Sequence, residues 1–134
     1  MITCDLGSNT LRIAQFDDIS CKRLRDFEKI VRTAKELHST QCIGNEAINN
    51  ILNALDEASK LFDFKHERTM CVTTQAMRMA KNASEVLAII HERFGLDFCI
   101  ISGEEEANYT ALAIEQALRR ESLDTQTYVL FDLG

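Results

Sequence analysis

The chain has 134 residues, 46% hydrophobic and 27% charged, with a formal net charge of −6. That length suits one domain with its own core, and the composition suits a globular protein. The acidic balance argues against nucleic-acid and membrane-surface binding, and no apolar run approaches the roughly 20 residues of a membrane span.

Ile2-Thr3-Cys4-Asp5 reads as a short strand and Leu6-Gly7-Ser8-Asn9 as a turn. Thr10 to Phe16 alternates and predicts the returning strand of a hairpin. Asp17-Asp18 is a second turn, and a third strand is expected near Phe27 to Val31. After Gly44-Asn45, the residues Ile48, Ile51, Leu52, Leu55, Ala58 and Phe62 recur at helical spacing. Thr69 to Thr73 predicts a buried strand and Thr74 to Lys81 a short helix. Asn82 and Glu85 resemble a capping box opening the next helix, which Gly95 ends. Phe98 to Ile101 predicts a second buried strand. Ser102 and Glu105 form a capping box for a helix through about Arg120, and Thr125 to Asp132 is a last strand.

Strands separated by helices pair in parallel through right-handed crossovers. The fold class is therefore α/β, with a mixed sheet whose antiparallel part is N-terminal. The cysteines, Cys4, Cys21, Cys42, Cys71 and Cys99, are odd in number and lack C-x-x-C spacing, which argues against a zinc or disulfide framework. Cys4, Cys71 and Cys99 lie in apolar runs and are expected as buried free thiols, in keeping with a reducing cytoplasm. No basic stretch precedes an apolar one at the N-terminus, so no secretory leader is expected.

Four segments have the residue types for phosphate chemistry. In Asp5-Leu6-Gly7-Ser8-Asn9-Thr10, a glycine turn lets backbone amides approach an anion, Ser8, Asn9 and Thr10 add donors, and Asp5 suits a divalent cation. A plain hairpin turn would use the same residues. In Thr73-Thr74-Gln75-Ala76-Met77-Arg78, a helix opens at a strand end and Arg78 suits phosphate oxygens; a solvated surface arginine is the ordinary alternative. Glu104, Glu105 and Glu106 crowd a first helical turn. Dipole complementation and capping explain one or two of them, and a general base explains the third. Asp132-Leu133-Gly134 repeats the Asp-x-Gly of the first segment.

In this order, Asp-Leu-Gly-Ser-Asn-Thr, Ala-Met-Arg-x-Ala-Lys-Asn, Ile-Ser-Gly-Glu-Glu-Glu-Ala and a final Asp-Leu-Gly, the chain resembles the Ppx/GppA phosphatases along its whole length. The resemblance implies the actin-like, ribonuclease H-like fold, in two similar domains with the active site between them. It implies release of terminal phosphate from inorganic polyphosphate, or of the 5′ γ-phosphate from guanosine pentaphosphate, with Mg²⁺. Carried onto these residues, Asp5, Gly7, Ser8 and Asn9 form the first phosphate loop, and Arg78 contacts a phosphate. Glu106 activates water, and Asp132 opens the second loop and shares the metal with Asp5.

Residues 1–124 would then be the N-terminal domain and 125–134 the first strand of the second. The rest of that domain follows Gly134 in the family, so the 134-residue chain alone is expected to be inactive. The whole protein is expected to be a homodimer. The strand Tyr128-Val129-Leu130-Phe131, lacking its neighbours, is expected to promote self-association. Two departures from the family pattern are Asn108, where arginine is usual, and Thr33-Ala34-Lys35-Glu36, where a glycine-containing segment is usual. Both bear on substrate preference. A non-catalytic module that binds guanosine tetra- or pentaphosphate is the alternative function.

Overall fold

The structure, a computed structural model, describes residues 1–122. The strand expected at 125–132, the domain boundary at 124 and Asp132 lie outside the described residues. Residues 1–101 form one compact unit, and a second begins at Ser102. Each is considered by itself.

In the first unit, β1 (Ile2–Leu6), β2 (Thr10–Phe16) and β3 (Arg23–Ile30) form an antiparallel meander. A short helix α1 (Leu37–Thr40) and a long helix α2 (Asn45–Ala58) lead to β4 (Thr69–Thr73), which pairs with β1 in parallel. Helices α3 (Gln75–Met79) and α4 (Ala83–Phe94) lead to β5 (Phe98–Ile100), parallel to β4. The strand order is β3-β2-β1-β4-β5.

The period of two along β1 divides its residues between the sheet faces. Ile2, Cys4 and Leu6 enter the core, while Thr3 and Asp5 point to the other face. Leu11, Ile13 and Cys71 join the core from β2 and β4. Ile51, Ala54, Leu55 and Ala58 of α2 and Val86 and Ile90 of α4 complete it. Helix α2 stops at Ala58, yet Phe62 stays buried because its amide bonds to the Ala58 carbonyl at 2.9 Å. Gly95 ends α4 with φ +70°, a left-handed position that glycine takes without steric cost.

Three expectations need correction. Strand β3 starts at Arg23, four residues before the expected Phe27, because pairing with β2 extends it through a stretch with no apolar alternation. Asn82 makes no cap bond to α4. Its Oδ1 accepts from the Ile43 amide at 2.8 Å and its Nδ2 donates to the Ile43 carbonyl at 3.0 Å, joining two connections remote in sequence. Among the described residues β5 lies at the edge of the sheet, and Cys99 is exposed rather than buried. Its register, Asp5↔Val72↔Cys99, puts it on the face opposite Cys4 and Cys71.

All five cysteines are free thiols. Cys4 and Cys71 are buried register partners. A hydrogen bond with Cys71 first, then burial, pushes the Cys4 thiol far above its usual range, which makes it a poor nucleophile. Among the described residues, no helix is long and apolar enough to cross a membrane.

In the second unit, α5 (Gly103–Arg120) starts at the expected capping box. The Glu105 amide donates to Ser102 Oγ at 3.1 Å, and the Ser102 amide donates to Glu105 Oε2 at 2.8 Å. Bonds from Ser102, from its amide first and then its hydroxyl, hold the Glu105 carboxyl below its ordinary range.

Candidate functional site

The parallel strands β1, β4 and β5 end together, with Leu6 opposite Thr73 and Thr73 opposite Ile100. Carboxyl ends of parallel strands, where the topology switches direction, are where open α/β sheets bind ligands. Here β1 turns back through Gly7, Ser8 and Asn9 into β2, while β4 runs into α3.

The Gly7–Asn9 turn is fixed from one side. The Gly7 amide donates to the Thr10 carbonyl at 3.0 Å. The Ser8 carbonyl accepts from the Ala34 amide at 2.9 Å, and the Asn9 carbonyl accepts from the Val31 and Arg32 amides at 2.8 and 2.9 Å. A trans peptide points its carbonyl and its N–H in opposite directions. With the Ser8 carbonyl turned toward residues 31–34, the Asn9 amide on the same peptide faces away from that segment. Amides turned outward in a tight turn are what an anion-binding nest requires.

Gly7 is not held there by its own fold. Its φ is not positive, and an added Cβ would meet the Thr10 carbonyl at 3.4 Å, an ordinary contact. A glycine that packing does not demand fits a site where a ligand comes close to the backbone.

Buried Thr73 closes the strand ends, its Oγ1 donating to the Leu6 carbonyl at 2.7 Å. Arg78 lies on α3, its amide bonded to the Thr74 carbonyl at 3.1 Å. Its Nη1 donates to the Ile101 carbonyl at 2.6 Å, which holds the guanidinium at the end of β5. Helix α3 has five residues and no side-chain cap, so its dipole is short and contributes little to anion binding.

Asp5, Gly7, Ser8, Asn9 and Arg78 thus share the carboxyl-end side of the sheet in the first unit. Asp5, on the non-core face, precedes the turn by two positions. Glu106 lies in the first turn of α5 in the second unit, its amide bonded to the Ser102 carbonyl at 3.0 Å and its carbonyl accepting from Thr110 Oγ1 at 3.0 Å. Among the described residues no three His, Cys, Asp or Glu side chains cluster as metal ligands. Asp5 is the only expected ligand among them, so these residues do not form a metal site by themselves.

Sequence reasoning missed one contributor and the role of another. The segment 31–34 holds the turn by backbone bonds, which leave no composition signal. Within it, exposed Arg32 takes a left-handed backbone, φ 56°, uncommon for a non-glycine residue, and stands beside the turn it helps to fix. The second is Thr73, whose hydroxyl bonds across strands rather than toward a ligand.

A mixed sheet in this order, with a hairpin turn and a strand-to-helix turn side by side at its carboxyl end, has the actin-like ATPase fold. The Ppx/GppA phosphatase family model matches residues 12–134, a range that holds Arg78, Glu106 and Asp132 and begins just after the first turn. The chain belongs to the Ppx/GppA phosphatase family.

A crystal structure of the Aquifex aeolicus Ppx/GppA family member is similar at 32% identity and a TM-score of 0.76, covering 88% of this chain and 40% of that one. A structure of the Aquifex aeolicus PPX-GPPA enzyme matches at 33% identity and a TM-score of 0.77, with the same coverage. An exopolyphosphatase from Cytophaga hutchinsonii shares the fold at 22% identity and a TM-score of 0.74, covering 86% of this chain and 38% of that one. The chain therefore spans about 40% of the length of the Aquifex structures.

Proposed function

We propose that this chain forms one half of a phosphohydrolase site that releases terminal phosphate from inorganic polyphosphate or the 5′ γ-phosphate from guanosine pentaphosphate. Phosphoryl transfer needs positioning and charge neutralisation more than covalent help. In this reading the amides of the Gly7-Ser8-Asn9 turn that its own bonds leave outward, Ser8 and Asn9, cradle a phosphate, Arg78 neutralises it, and Glu106 orients and deprotonates the attacking water. The observation that carries the reading is the turn itself. Its Ser8 and Asn9 carbonyls are bonded to residues 31–34, and the amide between them faces the other way.

Mg²⁺ belongs to the proposal through Asp5 and Asp132. This ion usually takes one or two carboxylates together with substrate phosphates, so two aspartates suit it. It would neutralise phosphate charge. The second phosphate loop would come from a second domain in a cytoplasmic homodimer, and the 134-residue chain alone would be inactive.

The test is phosphate release by the full-length protein with Mg²⁺, from long-chain polyphosphate and guanosine pentaphosphate in parallel, beside Glu106→Gln. The expected result is activity on at least one substrate, reduced about 10²–10⁴-fold in the variant. Tight guanosine-nucleotide binding without hydrolysis would replace this reading with the sensor module.

A further inference from the structure

Helix α3, which carries Arg78, is too short to hold itself. It has five residues and no side-chain cap. Helices below about 12–15 residues are marginal without outside support. Ala76 and Met77 give it some, because both are buried in the core. Apolar burial is non-directional, however, and does not by itself fix where Arg78 stands along the end of the sheet.

Direction comes from the segment that follows. The Lys81 amide donates to the Gln41 carbonyl at 2.9 Å. The Asn82 side chain clasps Ile43 at both backbone groups, its Oδ1 accepting from the amide at 2.8 Å and its Nδ2 donating to the carbonyl at 3.0 Å. Ile43 is buried and so is a fixed anchor. Beside it, Gln41 takes a left-handed backbone, φ 57°, uncommon for a non-glycine residue. Such a conformation persists where its surroundings over-determine it. Here the Gln41 amide closes α1 on the Leu37 carbonyl while its carbonyl holds Lys81.

We propose that Asn82 is a positioning residue: its clasp on Ile43 sets α3, and with it the place of Arg78 at the carboxyl end of the sheet. The Ala80 amide, bonded to the Ala76 carbonyl at 3.1 Å, joins the clasp to the helix. Asn82 then acts on a bound phosphate only through Arg78. The hold on α3 depends on bonds within the first unit alone; its effect on turnover rests on the hydrolase reading.

Two measurements on the full-length protein separate these. The first is amide exchange in wild type and Asn82→Ala. Rates at Arg78 and Ala80, whose amides bond to Thr74 and Ala76, are expected to rise about tenfold, the scale of one lost hydrogen bond, with Ile51 and Ile90 in the core unchanged. Unchanged rates at Arg78 and Ala80, or an equal rise through the core, overturn the hold. Asn82→Asp, which keeps an acceptor and loses the donor, is expected to show the same pattern, and it decides the matter if Asn82→Ala does not fold.

The second is a kinetic cycle of Asn82→Ala, Arg78→Lys and the double variant. Lysine keeps the charge, and its flexible stem tolerates a displaced helix better than a guanidinium fork does. Asn82→Ala is expected to lower kcat/KM about tenfold beside Arg78 and no more than about twofold beside Lys at that position. An equal loss in both backgrounds, or no loss in either, overturns the positioning role. A wild type that hydrolyses neither substrate defeats the hydrolase reading and with it the catalytic consequence, while the exchange comparison still decides the hold.

Discussion

The two ends of the sheet differ in kind. At the carboxyl end the chain builds its site from backbone: a three-residue turn, two carbonyls bonded to a neighbouring segment, and a threonine hydroxyl closing the strands. At the amino end of β4 it builds a hollow from side chains, a cleft of about 610 Å³ lined by Lys60, Phe62, Lys65, Arg93 and Phe94 among others. The hollow looks more like a ligand site, with three phenylalanine rings and three cations in one place. Yet α2 and α4 both finish there, and helix carboxyl ends carry partial negative charge. The cations answer that charge. Arg25 donates to the Leu61 carbonyl, and Arg93 pairs with Asp56 and lies over the Phe94 ring. Phe62 and Phe64 stack on each other at 6.0 Å. On the proposed reading, volume is a poor guide to the phosphate site and the direction of backbone dipoles is the better one.

The largest expected effect tests the backbone end. Gly7→Ala should leave the fold intact, because the added methyl meets only an ordinary contact at 3.4 Å. Its stability should match wild type or exceed it by up to about 1 kcal/mol, through a stiffer unfolded chain. Phosphate release by the full-length protein should nevertheless fall on the order of 10²-fold, the loss expected when amide donors are displaced from a developing charge. Urea midpoint and turnover measured together decide it. Lost stability would make Gly7 structural and remove the strongest argument for ligand approach.

Next is Thr73→Val, which keeps the shape of a buried residue and deletes its bond to the Leu6 carbonyl. The expected cost is about 1–2 kcal/mol of unfolding free energy, with weaker phosphate release because the turn follows Leu6 directly. A variant as stable as wild type would show that the strand ends need no such tie.

The third concerns α5 and acid. Because Glu105 titrates below its ordinary value when folded, its contribution is present above about pH 4.5 and is lost as pH falls through the lower folded value. Helicity near residue 103 should therefore fray in acid, followed by amide exchange from roughly pH 6 to pH 3. Ser102→Ala should lower helix stability by about 1 kcal/mol and flatten that pH response. A response that survives the substitution would place its source elsewhere.

Much of this was legible in the sequence, where local chemistry and global fold agree. The hairpin follows from alternation around Leu6-Gly7-Ser8-Asn9, α2 from its apolar spacing, and the start of α5 from Ser102 and Glu105. What escaped depends on partners remote in the chain. Asn82 has the look of a cap and spends both polar atoms on Ile43 instead. Arg78 has the look of a phosphate ligand, and one of its nitrogens bonds to the Ile101 carbonyl. The grip of residues 31–34 on the turn is made of backbone atoms, which every sequence has. Cys99 misled because apolar flanks say that a strand exists and not which face a residue takes.

The smallest expected effect is the sharpest control on the comparison. Lys60 and Lys65 line the cleft at the amino end and take no part in the turn, the α3 junction or the capping box. If their charge only answers helix carbonyls and solvent, Lys60→Ala with Lys65→Ala should change stability by no more than about 0.5 kcal/mol each. Turnover by the full-length protein, and its dependence on salt, should then stay as in wild type. A double variant that binds or hydrolyses polyphosphate several-fold more weakly would give the hollow a share in substrate binding. The division drawn between the two ends of the sheet would then fail, because a long polyanion would be touching both.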